Sequence, residues 1–389
     1  MSKSYDVCIR GDGVVAHTLA LLLARERLRV GLVGRPPAPD AVGDVRDVRA
    51  YALNSASRGL LQSLRAWPDA SFATPVVEMQ VWGDQGGKLD FHAQNLRQPA
   101  GGYRGHDQQG QSGDAALAWI VDVPELEQQL RQAARYQPHI EFIDQPVNAA
   151  LTVVCEGHHS SSRDALGSTS SAPLAVKLYG QKAVAARLES DLPHHGMARQ
   201  WFLGGDVLAL LPMGGALGNA LALVWSVSLE RAASLQALSP EAFCAALQAD
   251  CGQQVGTSRL TSERAAWPLS LSTAARWVGP GWALAGDAAH TVHPLAGQGL
   301  NLGLADAAGL AGVISGREYW RGLGDEKMLR RYERARKAEV AAMAAVTDGL
   351  HGLFAQTRPP WQALRNWGMN GFARSGVVKN WLARQAAGG

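Results

Sequence analysis

The chain has 389 residues, 47% apolar and 18% charged, a globular composition with length for two or three domains, which excludes a minimal binding module and wholesale disorder. With 37 Lys+Arg against 34 Asp+Glu the net charge is only +3, too little to point to nucleic acid. Cys8, Cys155, Cys244 and Cys251 are far apart, with no CxxC pair and no zinc spacing, so no metal site is expected and a reducing, cytoplasmic setting is.

The start, MSKSYDVCIRGDG, has too short an apolar run for a signal peptide. From there the pattern predicts a strand over Tyr5–Arg10, a glycine turn, a helix over His17–Arg27 and a second strand over Arg29–Val33, a β-α-β opening. Residues 47–66 read as helical, and 76–92 as strands around the turn Gly83-Asp84. The Gly/Gln-rich stretch Pro99–Gly113 reads as a loop, and 124–136 as a short helix with Pro124 in its first turn. Residues 157–173 are polar and Ser-rich. Val207–Leu229 carries no charge, yet Pro212, Gly214-Gly215 and Gly218-Asn219 divide it into two β-like runs, so a buried hairpin is expected there and not a membrane helix. A helix near 239–250, a strand-rich piece ending at Trp282–Ala285, helix from about residue 300, a charged helix over 326–348 and a Trp-rich tail complete the chain.

Two stretches carry chemistry. Gly11-Asp12-Gly13-Val14-Val15-Ala16 fits GxGxx(G/A) between a predicted strand and helix. There the first Gly permits a tight turn, the second lets backbone approach a pyrophosphate, and the helix start faces the negative charge. In the second, Gly281–Gly303, a strand runs through Gly286-Asp287-Ala288-Ala289-His290 into a Pro/Gly-rich turn and then a helix. Such a layout offers a carboxylate to a cofactor hydroxyl and, just after it, bare N–H groups at a helix start.

That second stretch resembles the second FAD motif of the single-component flavin-dependent aromatic hydroxylases. Its run HPLAGQGLNLGLADA is similar to the ubiquinone-biosynthesis branch. Asp47-Val48-Arg49-Ala50-Tyr51-Ala52-Leu53 resembles the family's DxRxxAL segment, Trp119–Asp122 its crossover into the substrate sheet, and Gln200-Trp201-Phe202 with Leu208–Pro212 its substrate-domain strands. The resemblance implies an α/β fold: a Rossmann-like FAD-binding domain (1–75, 120–180 and 275–325), an inserted β-sheet substrate domain (76–119 and 181–274) and a C-terminal helical segment (326–389). It implies FAD as cofactor, NAD(P)H as transient co-substrate, and hydroxylation by O2 of the ring of a polyprenylated phenol in ubiquinone biosynthesis. Arg49 and Pro294 are the implied catalytic residues. Gly11, Gly13, Ala16, Arg49, Glu156, Gly286, Asp287, Gly297, Gly299, Leu300 and Asn301 are the implied FAD contacts.

Departures from the family pattern accompany the matches. The second strand should end in an acid that binds the ribose hydroxyls, but Val33 is followed by Gly34-Arg35, so ribose recognition is weaker or comes from elsewhere. The family's ADGANSxVR-like stretch has Cys155-Glu156-Gly157-His158-His159-Ser160-Ser161-Ser162-Arg163 as its counterpart. These departures keep open an alternative function, a catalytically weakened scaffold of a quinone-biosynthesis complex. His158-His159 and His194-His195 are expected as solvated surface pairs, and Asp306 as a helix-surface or capping residue. The tail beyond Gly349 has no acid but carries Arg358, Arg365, Arg374, Lys379 and Arg384 among tryptophans. It suits either peripheral contact with the inner face of a membrane or a partner subunit, or a core-packing helix; homo-oligomerisation is a further expectation.

Overall fold

A computed structural model describes residues 4–34, 47–83, 87–97, 115–170, 174–292 and 298–355, with backbone only for 96–97, 167–170 and 346–355. Its opening is the expected β-α-β unit. β1 (Tyr5–Arg10) and β2 (Val30–Val33) pair in parallel, and α1 (Val14–Arg25) between them buries Ala16, Leu19, Ala20 and Leu23. The sheet extends on one side to β8 (Ile140–Ile143). On the other it extends to β9 (Ala149–Val154), β17 (Trp282–Leu284) and β16 (Val278–Gly279), in the order β16-β17-β9-β1-β2-β8. All pairings except β16–β17 are parallel. Strands buried on both faces explain the near-continuous apolar runs VCI and LTVV.

The second sheet has nine strands. Its path is β18 (His290–Thr291), β15 (Ala265–Ala274), β10 (Leu174–Ser190), β13 (Ala220–Ser228), β12 (Asp206–Pro212), β11 (Met197–Leu203), β5 (Glu78–Trp82) and β6 (Lys88–His92), with β14 (Ser258–Leu260) on β10. The uncharged stretch after Val207 is the expected buried hairpin, β12 against β13. One face is covered by α5 (Leu229–Ala237) and α6 (Pro240–Cys251), which set Leu235, Phe243 and Leu247 against Leu208, Leu223 and Trp225. Near its other face lies a three-stranded sheet, β3 (Ala50–Leu53), β7 (Ala118–Asp122) and β4 (Ala73–Val76), and Ile120, Val76, Ala198 and Ala222 form the small core between them.

Two segments depart from the sequence reading. Residues 47–66 are not one helix: Ala50–Leu53 is strand β3, paired with β7, and α2 (Ser55–Ser63) starts only after Asn54, whose side chain accepts from the Ser57 N–H at 2.8 Å. The apolar spacing of AYAL fits either state, and the partner strand decides. Within the Ser-rich 157–173 there is a helix, α4 (Ser161–Ser170). The helices α3 (Val123–Arg135), α7 (Gly299–Ser315) and α8 (Glu326–Ala355) stand where they were expected. α8 inserts Met328, Leu329 and Tyr332 into the core under the parallel sheet. Among the described residues no helix is long and apolar enough to cross a membrane. The loop at Pro99–Gly113, Asp84 and the Trp-rich tail lie outside the described residues.

Candidate cofactor site

Three parallel strands end level with one another. Arg10 at the end of β1 is in register with Val154 on β9, and Val154 with Leu284 on β17. Each strand then delivers a motif to the same edge: the Gly11–Ala16 turn, Cys155-Glu156-Gly157, and Gly286-Asp287. In parallel α/β sheets this carboxyl edge is where ligands bind.

Close backbone approach explains the glycines. Gly11 has φ 132°, and a Cβ on it would stand 2.4 Å from the Cys155 carbonyl oxygen, so only Gly lets β1 turn against the end of β9. A Cβ on Gly303 of α7 would lie 2.7 Å from Val15, and one on Gly286 (φ 63°) 3.2 Å from it. Val15 therefore fixes the first motif against the second. By contrast, Cβ atoms on Gly13 and Gly299, at the starts of α1 and α7, would meet nothing within 4 Å, so both helix starts face open space. Ala16 is fully buried beneath the turn, where a small residue lets α1 lie close on the sheet.

Asp287 points outward from this edge and is exposed, and no hydrogen bond to its carboxylate occurs among the described residues. The protein crowded round it pushes its pKa up, against the pull of His290, His158 and Arg49. Arg49 lies just before β3. Its Nε donates to both Asp47 oxygens (3.0 and 2.9 Å), its Nη2 to Oδ2 at 2.6 Å, and Glu127 is 3.7 Å away. Hydrogen bonding to Asp47 raises the Arg49 pKa. The pair is held from the nine-stranded sheet by Arg187 on β10, which donates to the Arg49 carbonyl at 2.7 Å and to Asp122 at 3.2 Å.

Other expected contacts use their side chains elsewhere. The Glu156 carboxylate accepts from Ser160 Oγ, Ser162 N and Ser162 Oγ, tying down the start of α4. Asn301 accepts on Oδ1 from Asn54 N (3.0 Å) and Ser57 Oγ (2.7 Å), and donates from Nδ2 to the Ala52 carbonyl (2.8 Å), stapling α7 to β3 and α2. Leu300 packs against the core beside Leu304 and Leu53. Pro294 and Gly297 lie outside the described residues.

Two expectations are corrected. Asp306 is not on a helix surface: it is fully buried and accepts from the Gly286 N–H (2.9 Å), His290 Nε2 (2.6 Å) and Arg336 Nε (2.8 Å). It thereby ties the Gly286-Asp287 turn to α7 and α8. A lone charge in a largely apolar helix was the available signal, since such an acid must be buried with partners. His194 is likewise not surface. It is 7% exposed, donates from Nε2 to the Met213 carbonyl and accepts from the Gly196 N–H at 3.0 Å, a structural role. An open groove of about 630 Å³ lined by Arg58, Trp67 and Trp119 lies along α2, β4 and β7, and none of the motif residues at the strand ends lines it.

The family model described as FAD binding domain matches residues 111–347, more than half of the chain. The chain belongs to this family. Its site suits that cofactor, because two open helix starts, a glycine turn and an exposed carboxylate share one sheet edge. Ubiquinone hydroxylase UbiL of Rhodospirillum rubrum is 31% identical, over 99% of this chain and 90% of that protein. The 3-demethoxyubiquinol 3-hydroxylase of Escherichia coli is 28% identical over 98% of each. In fold the chain is similar to PqsL of Pseudomonas aeruginosa, with a TM-score of 0.72 at 20% identity over 91% of this chain and 97% of that one. FAD is thus the cofactor of this α/β fold, and the protein is an enzyme of the flavin monooxygenase kind.

Proposed function

We propose that the protein hydroxylates the aromatic ring of a polyprenylated phenol in ubiquinone biosynthesis, with FAD as cofactor and NAD(P)H and O2 as co-substrates. The observation that carries this reading is the meeting of the Gly11–Ala16 turn, Gly286-Asp287 and the start of α7 at one sheet edge. Full-length likeness to proteins named for ubiquinone-ring hydroxylation supports the substrate class.

The flavin, when bound, supplies the two-electron redox chemistry and the activation of O2. The protein's share is binding, orientation and exclusion of water. Gly11, Gly13 and the N-terminus of α1 would receive the pyrophosphate. Asp287 would accept from ribityl hydroxyls, and N–H groups from Gly297 to Asn301 would face the ring edge. Glu156 would hold the β9 end of the site through its helix cap, and Arg49, with Pro294, would border the reacting ring. Residues 1–75, 120–180 and 275–325 would form the cofactor domain, 76–119 and 181–274 the substrate domain, and 326–389 the helical segment. The basic Trp-bearing tail would rest on a membrane or a partner, suiting a prenylated substrate.

Asp287→Ala tests the assignment. Losing a charge-assisted hydrogen bond should weaken FAD by about 1.5–3 kcal/mol in a fluorescence titration, and equal affinity in variant and parent would remove Asp287 from the site. Arg49→Ala should slow product formation while leaving bound flavin, and unchanged turnover would take Arg49 out of the chemistry.

A further inference from the structure

The strand that should end in a ribose-binding acid ends in Val33-Gly34, and the structure shows a carboxylate in that place from another residue. Asp12, the middle residue of the glycine turn, lies beside Gly34: a Cβ on Gly34 would stand 3.0 Å from Asp12 Oδ1 and 3.2 Å from its Cγ. Both residues sit just beyond the carboxyl ends of neighbouring strands, since Arg10 of β1 is in register with Val33 of β2. We propose that Asp12 takes over from the missing acid and accepts hydrogen bonds from the hydroxyls of the adenosine ribose of FAD. This rests on the FAD reading above and adds a binding residue to it.

Three features support the assignment. First, the two positions compete for one place: a Cβ at position 34 would stand 3.0–3.2 Å from the Asp12 carboxylate, which would have to give way by a few tenths of an ångström to admit it. Second, the carboxylate is oriented before any ligand arrives. Arg131 on α3 donates to Oδ2 at 3.3 Å. Third, acceptor capacity remains. A carboxylate offers about four lone-pair sites, and the Asp12 side chain is 24% exposed, which leaves it in reach of a vicinal diol.

The test uses the full-length protein stripped of flavin and titrated with FAD, alongside an FAD analogue whose adenosine ribose lacks both hydroxyls. Asp12→Asn keeps the shape of the turn and should bind FAD roughly 10- to 100-fold more weakly, the range for a hydrogen bond to a charged group. The parent should lose a similar factor with the analogue, while the Asn variant, left with only a neutral acceptor, should discriminate FAD from the analogue much less than the parent does. Restoring the acid from the other strand, in Asp12→Ala/Gly34→Glu, should regain most of the FAD affinity lost in Asp12→Ala. Equal FAD affinity in parent and Asp12→Asn overturns the proposal, as does a variant that still discriminates FAD from the analogue as the parent does. If the double variant melts early, the Asn variant and the analogue decide alone. A parent that takes up no FAD overturns the cofactor reading itself, an outcome distinct from these.

Discussion

Asp306 shows how much one buried side chain can organise. Its two oxygens take up a backbone N–H at the Gly286 turn, an imidazole and a guanidinium, and the indole of Trp277 stacks on that imidazole at 4.8 Å. Arg336 is 4% exposed and donates also to the Leu302 carbonyl and to Glu339, so removing Asp306 leaves a buried guanidinium balanced only by the exposed carboxylate of Glu339. Asp306→Ala should therefore lower unfolding free energy by about 3–5 kcal/mol, measured by denaturant titration, and a change within about 0.5 kcal/mol would mean that water replaces the carboxylate without loss. FAD affinity should fall as well, because the Gly286-Asp287 turn loses its anchor. Asp287 was legible in the sequence because a distinctive motif surrounds it. The burial of Asp306 was legible from its place as the one charge in an apolar helix, but its partners were not, because they lie 16 to 30 residues away along the chain and only folding brings them together.

At the scale of elements, the sequence pattern is faithful where a segment's own periodicity decides its state and fails where a partner does. The β-α-β opening, the β12–β13 hairpin and α3 with Pro124 at its start all follow from local pattern. β3 does not. Ala50–Leu53 becomes a strand because β7 lies alongside, and the boundary with α2 is set by the Asn54 cap and by Asn301 reaching across from α7. α4 escaped notice because Ser is a weak helix former, and Glu156 makes up for this by taking three donors at its start. Asn301→Ala should separate α7 from β3 and α2. With several buried hydrogen bonds lost at about 1 kcal/mol each, stability should fall by about 2–4 kcal/mol. Asn301→Asp keeps the acceptor for Asn54 and Ser57 but not the donor to Ala52, and should fall between the variant and the parent in the same titration. Two variants of equal stability would argue that the staple acts through Ala52 alone.

For the whole molecule, acid sensitivity follows from its histidines. Burial lowers the pKa of His17, His158 and His194 below the ordinary value near 6.5. Each prefers to be neutral in the fold, so the unfolded chain binds more protons below that pH. The stability they contribute is full above about pH 6.5 and is lost as pH falls through the lowered folded values. Glu127 and Asp206, raised by burial, and Asp287, raised by the protein crowded round it, act in the opposite sense, but only as pH approaches the carboxylate range. Melting temperature should thus be flat from about pH 8 to 7 and decline below about 6.5. His194→Asn, which retains an acceptor for Gly196, should show a smaller decline, and a melting temperature that rises on mild acidification would contradict the assignment. The central claim is that this sheet edge and the substrate sheet together serve oxygen transfer to a prenylated phenol. It is tested most directly by incubating the FAD-loaded protein with NAD(P)H, a polyprenylated phenol and oxygen-18 gas, and weighing the product by mass spectrometry. A ring hydroxyl carrying one oxygen-18 atom is the predicted result; consumption of NAD(P)H with only hydrogen peroxide formed, or an unchanged phenol, would contradict it.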